Sequence, residues 1–265
     1  MTTVALHHRV SGQGEPLLML HGLFGSLENL GSISRLLADQ YQIHGLDLRN
    51  HGRSPHTDSH SYELMAADVV AYLDQAGLDR VRVVGHSMGG KVAMQLALQY
   101  PDRIERVVVL DIAPVDYPPH HDQILAGLRQ LDLSQVASRD QADQSLAPFV
   151  PELPVRQFLL KNLTKTGPGT YGWRLNLPTL MARYPAILAG QTASQPFPRP
   201  VLFLKGGDSD YLQAHYWPQI QRLFPAAVMR IIPHTGHWLH AEKPEVVAAA
   251  ARRFFLTSPD GGQSA

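Results

Sequence analysis

Residues 81–97 combine a short apolar run, a glycine-flanked serine and a helical pattern. Val81–Val84 reads as a buried strand, and Met88, Val92 and Leu96 lie at the spacing of one helix face. The sequence Gly85-His86-Ser87-Met88-Gly89 connects the two. A turn this tight strains the serine backbone and brings the residues two positions away so close that glycine is needed at both. The pattern predicts a nucleophile elbow, with the Ser87 hydroxyl raised above the end of a strand.

Apolar runs of strand length alternate with helical patterns on both sides of this elbow. The predicted strands are 4–10, Pro16–Leu20, Tyr41–Asp47, Ile104–Asp111, Val201–Lys205 and Val228–Ile232, and the predicted helices of this part are 29–39, Tyr62–Gln75, Tyr216–Phe224 and Pro244–Leu256. Such βα repeats form parallel sheets with helices on both faces. We therefore predict an α/β fold with a mostly parallel central sheet.

The alternation stops between the two halves of this pattern. From Ile112 to about Pro200 we find no buried strand, only amphipathic helical segments punctuated by proline and glycine. These segments are Gln123–Leu131, Gln135–Leu146, Leu153–Leu163 and Thr179–Leu188. We predict a core of residues 1–113 and 198–258, a helical cap inserted at 114–197, and a disordered tail at 259–265.

Composition narrows the classes of function. The 265 residues carry a formal net charge of +0 and no cysteine, so nothing favours a nucleic-acid partner, and disulfides and thiol catalysis are excluded. The 14 histidines are scattered without a ligand pattern, and we expect neither a metal nor a cofactor. The N-terminus lacks a signal-like apolar segment and no run approaches membrane length, so we expect a cytoplasmic protein without membrane insertion. No feature indicates an oligomeric state.

A serine nucleophile needs a base to take its proton and a carboxylate to orient that base. The base is expected after the last strand, where His234, His237 and His240 stand. We favour His237, because the preceding Gly236 lets the loop backbone approach the serine.

An oxyanion hole needs two N–H groups that point at one spot. The strand Pro16–Leu20 runs into His21-Gly22-Leu23, a loop at the same sheet edge as the elbow. We predict that the N–H groups of Leu23 and Met88 form this hole.

The polar turn after the third strand has a structural interpretation. Asp47 and Arg49 are expected to fix the turn by ion pairing, and His51 is expected to be a hydrogen-bonded turn residue rather than a catalyst.

Five stretches together resemble the α/β-hydrolase superfamily, and within it the small bacterial esterases of the YbfF type. They are Leu20–Ser26, Asp47–Gly52, Gly85–Lys91, Asp111–Tyr117 and Gly236–Pro244. The likeness covers nearly the whole chain. It implies a Ser-His-Asp hydrolase of short- to medium-chain carboxyl esters or acyl-CoA thioesters, with a small helical cap and a small-molecule substrate.

The acid of the triad stays open among three aspartates. Many members of the superfamily carry it after the strand that is Val201–Lys205 here, which points to Asp208 or Asp210. The YbfF-like group resembles this chain in carrying a carboxylate at the end of the strand after the elbow helix, which is Asp111. This chain has acids in both places. We favour Asp111, with Asp210 and then Asp208 as alternatives.

The sequence says less about the substrate than about the catalytic residues. Phe24, His86, Tyr117 and Trp238 are expected to line its pocket, as neighbours of the motifs above. Lactonases, C–C hydrolases and perhydrolases use the same catalytic parts, so these activities are alternatives to an esterase. A ligand-binding protein without catalysis on the same fold is a further alternative.

Overall fold

The computed structural model of the chain describes residues 2–257, so the tail predicted at 259–265 lies outside the described residues. The strands, in chain order, are β1 (His8–Ser11), β2 (Glu15–Leu20), β3 (Tyr41–Leu46), β4 (Val81–His86), β5 (Ile104–Leu110), β6 (Leu163–Gly167), β7 (Thr170–Trp173), β8 (Val201–Gly206) and β9 (Ala227–Ile232). Seven of them form one sheet in the order β1-β3-β2-β4-β5-β8-β9. Within that sheet β1 is antiparallel to β3, and the remaining pairs are parallel.

Helices pack on both faces of this sheet and also form most of the segment between β5 and β8. They are α1 (Gly31–Leu37), α2 (Tyr62–Gln75), α3 (Met88–Gln99), α4 (Asp122–Gln130), α5 (Arg139–Leu146), α6 (Leu153–Leu160), α7 (Leu177–Ala182), α8 (Tyr184–Leu188), α9 (Trp217–Leu223), α10 (Leu239–Glu242) and α11 (Pro244–Leu256). Short 3-10 turns occupy Leu27–Leu30, Pro101–Arg103 and Ala214–Tyr216. Among residues 2–257, no helix has the length and apolar character needed to cross a bilayer.

The central strand β2 is buried on both faces, as its unbroken apolar run predicts. Leu17 and Met19 pack in a cluster with side chains of α1 and α11, whereas Leu18 and Leu20 face the opposite cluster, with side chains of α2 and α3. All four are fully buried, and each such side chain contributes about 2 kcal/mol through removal from water. The predicted α/β class, with a mostly parallel sheet between helices, is confirmed.

The strand register brings the carboxyl ends of neighbouring strands to one level. Leu20 at the end of β2 pairs with Gly85, and His86 at the end of β4 pairs with Leu110 at the end of β5. Gly206 at the end of β8 pairs with Ile232 of β9. The loops that follow these strands therefore meet along one edge of the sheet.

The segment between β5 and β8 differs from the expected run of helices. Strands β6 and β7 form an antiparallel hairpin that is mostly outside the core, so its apolar residues give no buried-strand signal. The predicted helix Thr179–Leu188 is interrupted, because a new helix starts at Tyr184 with Pro185 in its first turn. The predicted helix Gln135–Leu146 begins later, at Arg139, where the Ser138 side chain caps it.

The expected ion pair between Asp47 and Arg49 is wrong. The Arg49 guanidinium pairs with Asp68 of α2, at 2.6 Å from Nε to Oδ2 and 2.8 Å from Nη2 to Oδ1, and both side chains are fully buried. Asp47 instead accepts hydrogen bonds from the backbone N–H groups of Leu27 and Arg53. A buried guanidinium needs a partner with two aligned oxygens, and Asp68, nineteen residues away, supplies it only because α2 packs here.

Candidate active site

Ser87 occupies the sharp turn between β4 and α3. Its backbone has φ 52° and ψ −118°, a conformation that L-residues rarely adopt. A Cβ at Gly89 would lie 2.2 Å from the carbonyl oxygen of Leu20, and one at Gly85 would lie 2.3 Å from that of Gly89. A side chain at either position would collide with neighbouring backbone, so both flanking glycines are required. The turn places Ser87 immediately before the first residue of α3.

His237 and Asp111 meet at this edge of the sheet. The Nδ1 atom of His237 lies 2.8 Å from Oδ2 of Asp111, although 126 residues separate them in the chain. Asp111 directly follows β5 and is fully buried. A carboxylate can only accept a hydrogen bond, so the neutral His237 ring carries its proton on Nδ1. Its Nε2 is then unprotonated and can act as a base.

Two further groups hold the Asp111 carboxylate. The backbone N–H of Gly206 donates to Oδ1 at 2.9 Å, and the Ser209 hydroxyl donates to Oδ2. A buried carboxylate is costly unless hydrogen bonds satisfy its oxygens, and these donors, with His237, do so. Ser209 lies in the turn after β8. The sequence pattern pointed only to the two aspartates of that turn, so the role of this serine was not predicted.

The other two candidate acids point elsewhere. Asp208 and Asp210 are both exposed, and among residues 2–257 neither carboxylate hydrogen-bonds the ring of His237. The Asp210 carboxylate instead accepts from the side-chain amide of Gln213 at 3.0 Å.

Two further residues hold His237, one through its ring and one through its backbone. Tyr211 stacks on it with ring centroids 3.8 Å apart and an angle of 17° between the planes. Nε2–H of His86 donates to the His237 carbonyl oxygen at 2.9 Å. Burial, together with the neighbouring His240 and His237, holds the pKa of His86 well below its usual value, so His86 is neutral. The sequence reasoning missed Tyr211, although it follows the same turn as Ser209.

The N–H groups of Leu23 and Met88 are available at the cleft that Ser87 lines. Within residues 2–257 neither has a protein acceptor, and both residues line this cleft. The loop that carries Leu23 is bent at Phe24, which has φ 60°. Its shape is held by a turn in which Gly25 N–H donates to the Gly22 carbonyl at 3.0 Å.

Two buried histidines support this loop. Nε2 of His51 accepts a hydrogen bond from the Phe24 N–H at 3.3 Å, and Nε2 of His21 accepts one from the Leu48 N–H at 3.0 Å. Acceptor nitrogens must be unprotonated, and burial lowers the pKa of His21 to about 4 and that of His51 to about 3. His51 is thus a hydrogen-bonded structural residue in the described structure, as expected.

A cleft of about 320 Å³, which includes the open space at its mouth, leads to Ser87. Its walls are formed by Leu23, Tyr62, Ser87, Met88, Lys91, Ile112, Tyr117, His120, His121, Ile187, Leu188 and Tyr211. Of the four predicted pocket residues, Tyr117 lies in this wall. Phe24 is buried with its ring edge-on to His121, and Trp238 packs on Phe158, with ring centroids 5.6 Å apart. His86 packs beside His237, with ring centroids 4.8 Å apart.

The arrangement is suited to acyl transfer. It combines a hydroxyl on a strained turn, an imidazole oriented by a buried carboxylate, and two N–H groups without an acceptor among residues 2–257, beside one apolar cleft. Among the described residues, no group of three or more histidine, aspartate or glutamate side chains is arranged to hold a metal ion.

The family assignment agrees with this geometry. Residues 15–244 match the model of a family described as the alpha/beta hydrolase fold. The chain belongs to the α/β-hydrolase family. The resemblance read from the five sequence motifs is therefore confirmed.

Relatives within this family are named esterases and lipases. The chain is 41% identical to the mouse sn-1-specific diacylglycerol lipase ABHD11 over 246 residues, which cover 90% of this chain and 80% of the relative. It is 40% identical to the Escherichia coli esterase YbfF over 240 residues, which cover 90% and 92%. A solved structure named marine microorganism esterase superposes with a TM-score of 0.93 at 38% identity, covering 95% of this chain and 100% of that one. The expected class, a hydrolase of the carboxylesterase type, is confirmed.

Proposed function

We propose that this chain hydrolyses short- to medium-chain carboxyl esters through Ser87, His237 and Asp111, with an acyl-enzyme intermediate. The observation that carries the proposal is the 2.8 Å contact between His237 Nδ1 and the buried Asp111 carboxylate, at the sheet edge where Ser87 occupies its strained turn. This contact leaves Nε2 of His237 as the proton acceptor for the serine hydroxyl.

In the first half of the reaction, Nε2 of His237 takes the Ser87 proton while Oγ attacks the ester carbonyl carbon. The resulting oxyanion accepts hydrogen bonds from the N–H groups of Leu23 and Met88. The C–O bond to the alcohol then breaks, and the alcohol leaves with the proton held by His237. Asp111 stays ionised and stabilises the imidazolium formed in between.

In the second half, a water molecule replaces the alcohol. His237 removes its proton, the hydroxide oxygen attacks the acyl carbon, and the same two N–H groups bind the second oxyanion. The bond to Ser87 Oγ breaks, the acid leaves, and the proton returns to Ser87. No other reactant is required.

Residues 114–197 are proposed to be a cap that covers this site and selects the acyl group. Tyr117, His121 and Ile187 of this segment line the cleft together with Met88, which supports the idea. The cleft is small and mostly apolar, as suits a short or medium acyl chain rather than a long one. The same residues suit an acyl-CoA thioester, whose thiol leaves in place of the alcohol.

The test is hydrolysis of p-nitrophenyl esters from acetate to laurate, and of the corresponding acyl-CoA thioesters, by purified wild type and Ser87→Ala. We expect activity that is highest on short and medium chains, and a fall in kcat on the order of 10⁴-fold or more in Ser87→Ala. A fluorophosphonate probe should label wild type but not the variant.

Each outcome separates the alternatives. Near-normal turnover by Ser87→Ala would contradict the mechanism. Labelling of Ser87 without hydrolysis of any ester or thioester would contradict the substrate class and point to lactones or C–C bonds. The absence of both labelling and hydrolysis would favour a binding protein without catalysis.

A further inference from the structure

The hydroxyl of Tyr184 fixes the proton on the ring of His121. This hydroxyl accepts hydrogen bonds from the backbone N–H groups of His120, at 3.3 Å, and His121, at 3.0 Å. It also lies 2.9 Å from Nδ1 of His121. With both acceptor sites in use, the hydroxyl directs its one proton to Nδ1. A neutral His121 therefore carries its own proton on Nε2.

This Nε2–H faces no protein acceptor. Among residues 2–257 no hydrogen bond is made by Nε2 of His121, and the atom is not sealed from solvent as the unpaired Nε2 of His60 is. His121 is one of the residues that line the cleft containing Ser87 and Met88. A donor with a fixed direction is thus present in the wall of the cleft, and the proposed mechanism does not use it.

The ring stays neutral at ordinary pH. Burial, together with the nearby His120 and His237, lowers the pKa of His121 to about 3. Lys91 is the one lysine among the described residues of the cleft wall. Its Nζ already donates to the carbonyls of Val115, Leu188 and Ala189, so it is not available to a substrate. The wall near His121 therefore offers a neutral donor and no free ammonium, which suits an uncharged oxygen better than a carboxylate.

We infer that His121 is a specificity-determining residue whose Nε2–H binds a second, uncharged oxygen of the ester, apart from the carbonyl that Ser87 attacks. The substrate class is then an ester that carries a further carbonyl, ether or hydroxyl oxygen in its acyl or alcohol part. An analogue without that oxygen leaves the donor unpaired when it fills the cleft and displaces water from it, which lowers its relative rate. This inference rests on the proposed ester hydrolysis.

The test compares esters that differ by one CH₂ replaced with oxygen. On the acyl side the pair is p-nitrophenyl methoxyacetate and p-nitrophenyl butyrate; on the alcohol side it is 2-methoxyethyl butyrate and butyl butyrate. The measured quantity is the ratio of kcat/KM within each pair. Intrinsic differences in reactivity cancel when this ratio is compared between wild type and variants. We expect His121→Phe to lower the ratio about 3- to 10-fold in at least one pair, as for one neutral hydrogen bond.

Two variants separate the hydrogen bond from a packing effect. His121→Gln presents an amide donor at similar reach and should retain most of the wild-type ratio. Tyr184→Phe keeps the His121 ring but releases its Nδ1, and should lower the same ratio by a smaller factor. The matched control is Tyr72→Phe, which removes a tyrosine hydroxyl 2.6 Å from Nδ1 of His44, away from the cleft, and should leave the ratio unchanged.

The outcomes are distinct. If wild type and His121→Phe hydrolyse both members of each pair with the same ratio, the role of His121 is overturned and the proposed esterase stands. If His121→Phe does not fold, an unchanged ratio in Tyr184→Phe overturns it equally. If wild type hydrolyses none of the four esters, the proposed function fails, and this inference fails with it.

Discussion

Two residues of the proposed triad are among the five non-glycine residues with positive φ in the described structure. Ser87 and Asp111 both have φ 52°, and Phe24 in the loop beside Leu23 has φ 60°. Each such residue costs about 1–3 kcal/mol and persists only where the surroundings hold it. Here they do, because Ser87 N–H donates to the Leu110 carbonyl and Asp111 N–H to that of Leu204. The strain aims side chains of neighbouring strands at one point above the sheet.

At the same scale, we expect Asp111→Asn to lower kcat by about 10³- to 10⁴-fold with little change in KM. An amide at this position favours the wrong tautomer of His237 and does not stabilise the imidazolium. Steady-state kinetics on a p-nitrophenyl ester measures the effect, with circular dichroism as the check on folding.

The matched control is the double variant Asp208→Asn/Asp210→Asn. Both carboxylates are exposed, so we expect its kcat to stay within about threefold of wild type. A loss of activity in the double variant, with Asp111→Asn still active, would move the acid to the turn after β8.

At the scale of elements, one side chain of α3 binds two separate parts of the segment between β5 and β8. Lys91 lies one turn after Ser87, and its Nζ donates to the carbonyls of Val115 at 2.8 Å, Leu188 at 3.0 Å and Ala189 at 2.6 Å. Its ammonium also lies 4.8 Å from the ring centroid of Tyr117. The three donors of the charged form match three acceptors, which offsets part of the burial that lowers the pKa of Lys91 to about 7.

We therefore expect Lys91→Met to loosen residues 115–117 and 187–189 without unfolding the sheet. Methionine has a similar length but no donor, so three carbonyls lose their partner, at a cost of roughly 2 kcal/mol. KM for p-nitrophenyl butyrate should rise about tenfold, kcat should change less, and hydrogen exchange of these segments should become faster.

The control is Lys243→Met, which removes a lysine hydrogen bond to the Pro233 carbonyl at the surface. Its kinetics and exchange rates should match those of wild type. Unchanged exchange at residues 115–117 in Lys91→Met would show that the lysine does not hold this segment.

At the scale of the whole molecule, several histidines are buried in neutral form. Burial lowers the pKa of His21 to about 4, and that of His51, His60 and His240 to about 3. In the unfolded chain each returns to about 6.5, so the unfolded state binds more protons between pH 6.5 and about 3. The free energy of unfolding must therefore fall as the pH drops through this window.

We expect urea denaturation at pH 7.5, 6.0 and 5.0 to give a steadily falling free energy of unfolding. At pH 4, His21 alone lowers the free energy of unfolding by about 3 kcal/mol relative to neutral pH. His60→Phe should flatten this pH dependence, because His60 is buried and its Nε2 has no hydrogen-bond partner among residues 2–257. His215→Phe, at an exposed position, should leave the slope unchanged. A free energy that is constant between pH 7.5 and 5.0 would contradict the argument.

The sequence predicted elements whose signals are local. Helix α2 has the predicted bounds Tyr62–Gln75, and Gly77 after it has the positive φ expected of a residue that ends a helix. The buried strands were recognisable because a run such as 17–20 is apolar on both faces. The hairpin β6–β7 was missed, because its half-exposed residues carry no such pattern.

For the candidate site, the sequence determined the α/β fold, the elbow around Ser87 and the loop that carries Leu23, since spacing and glycine placement encode them locally. Only the tertiary structure decided which groups face each other: Asp111 rather than Asp208 or Asp210 beside His237, and Asp68 rather than Asp47 beside Arg49. These pairs depend on strand order, register and helix packing. Those features arise from contacts between segments far apart in the chain, so no local pattern records them.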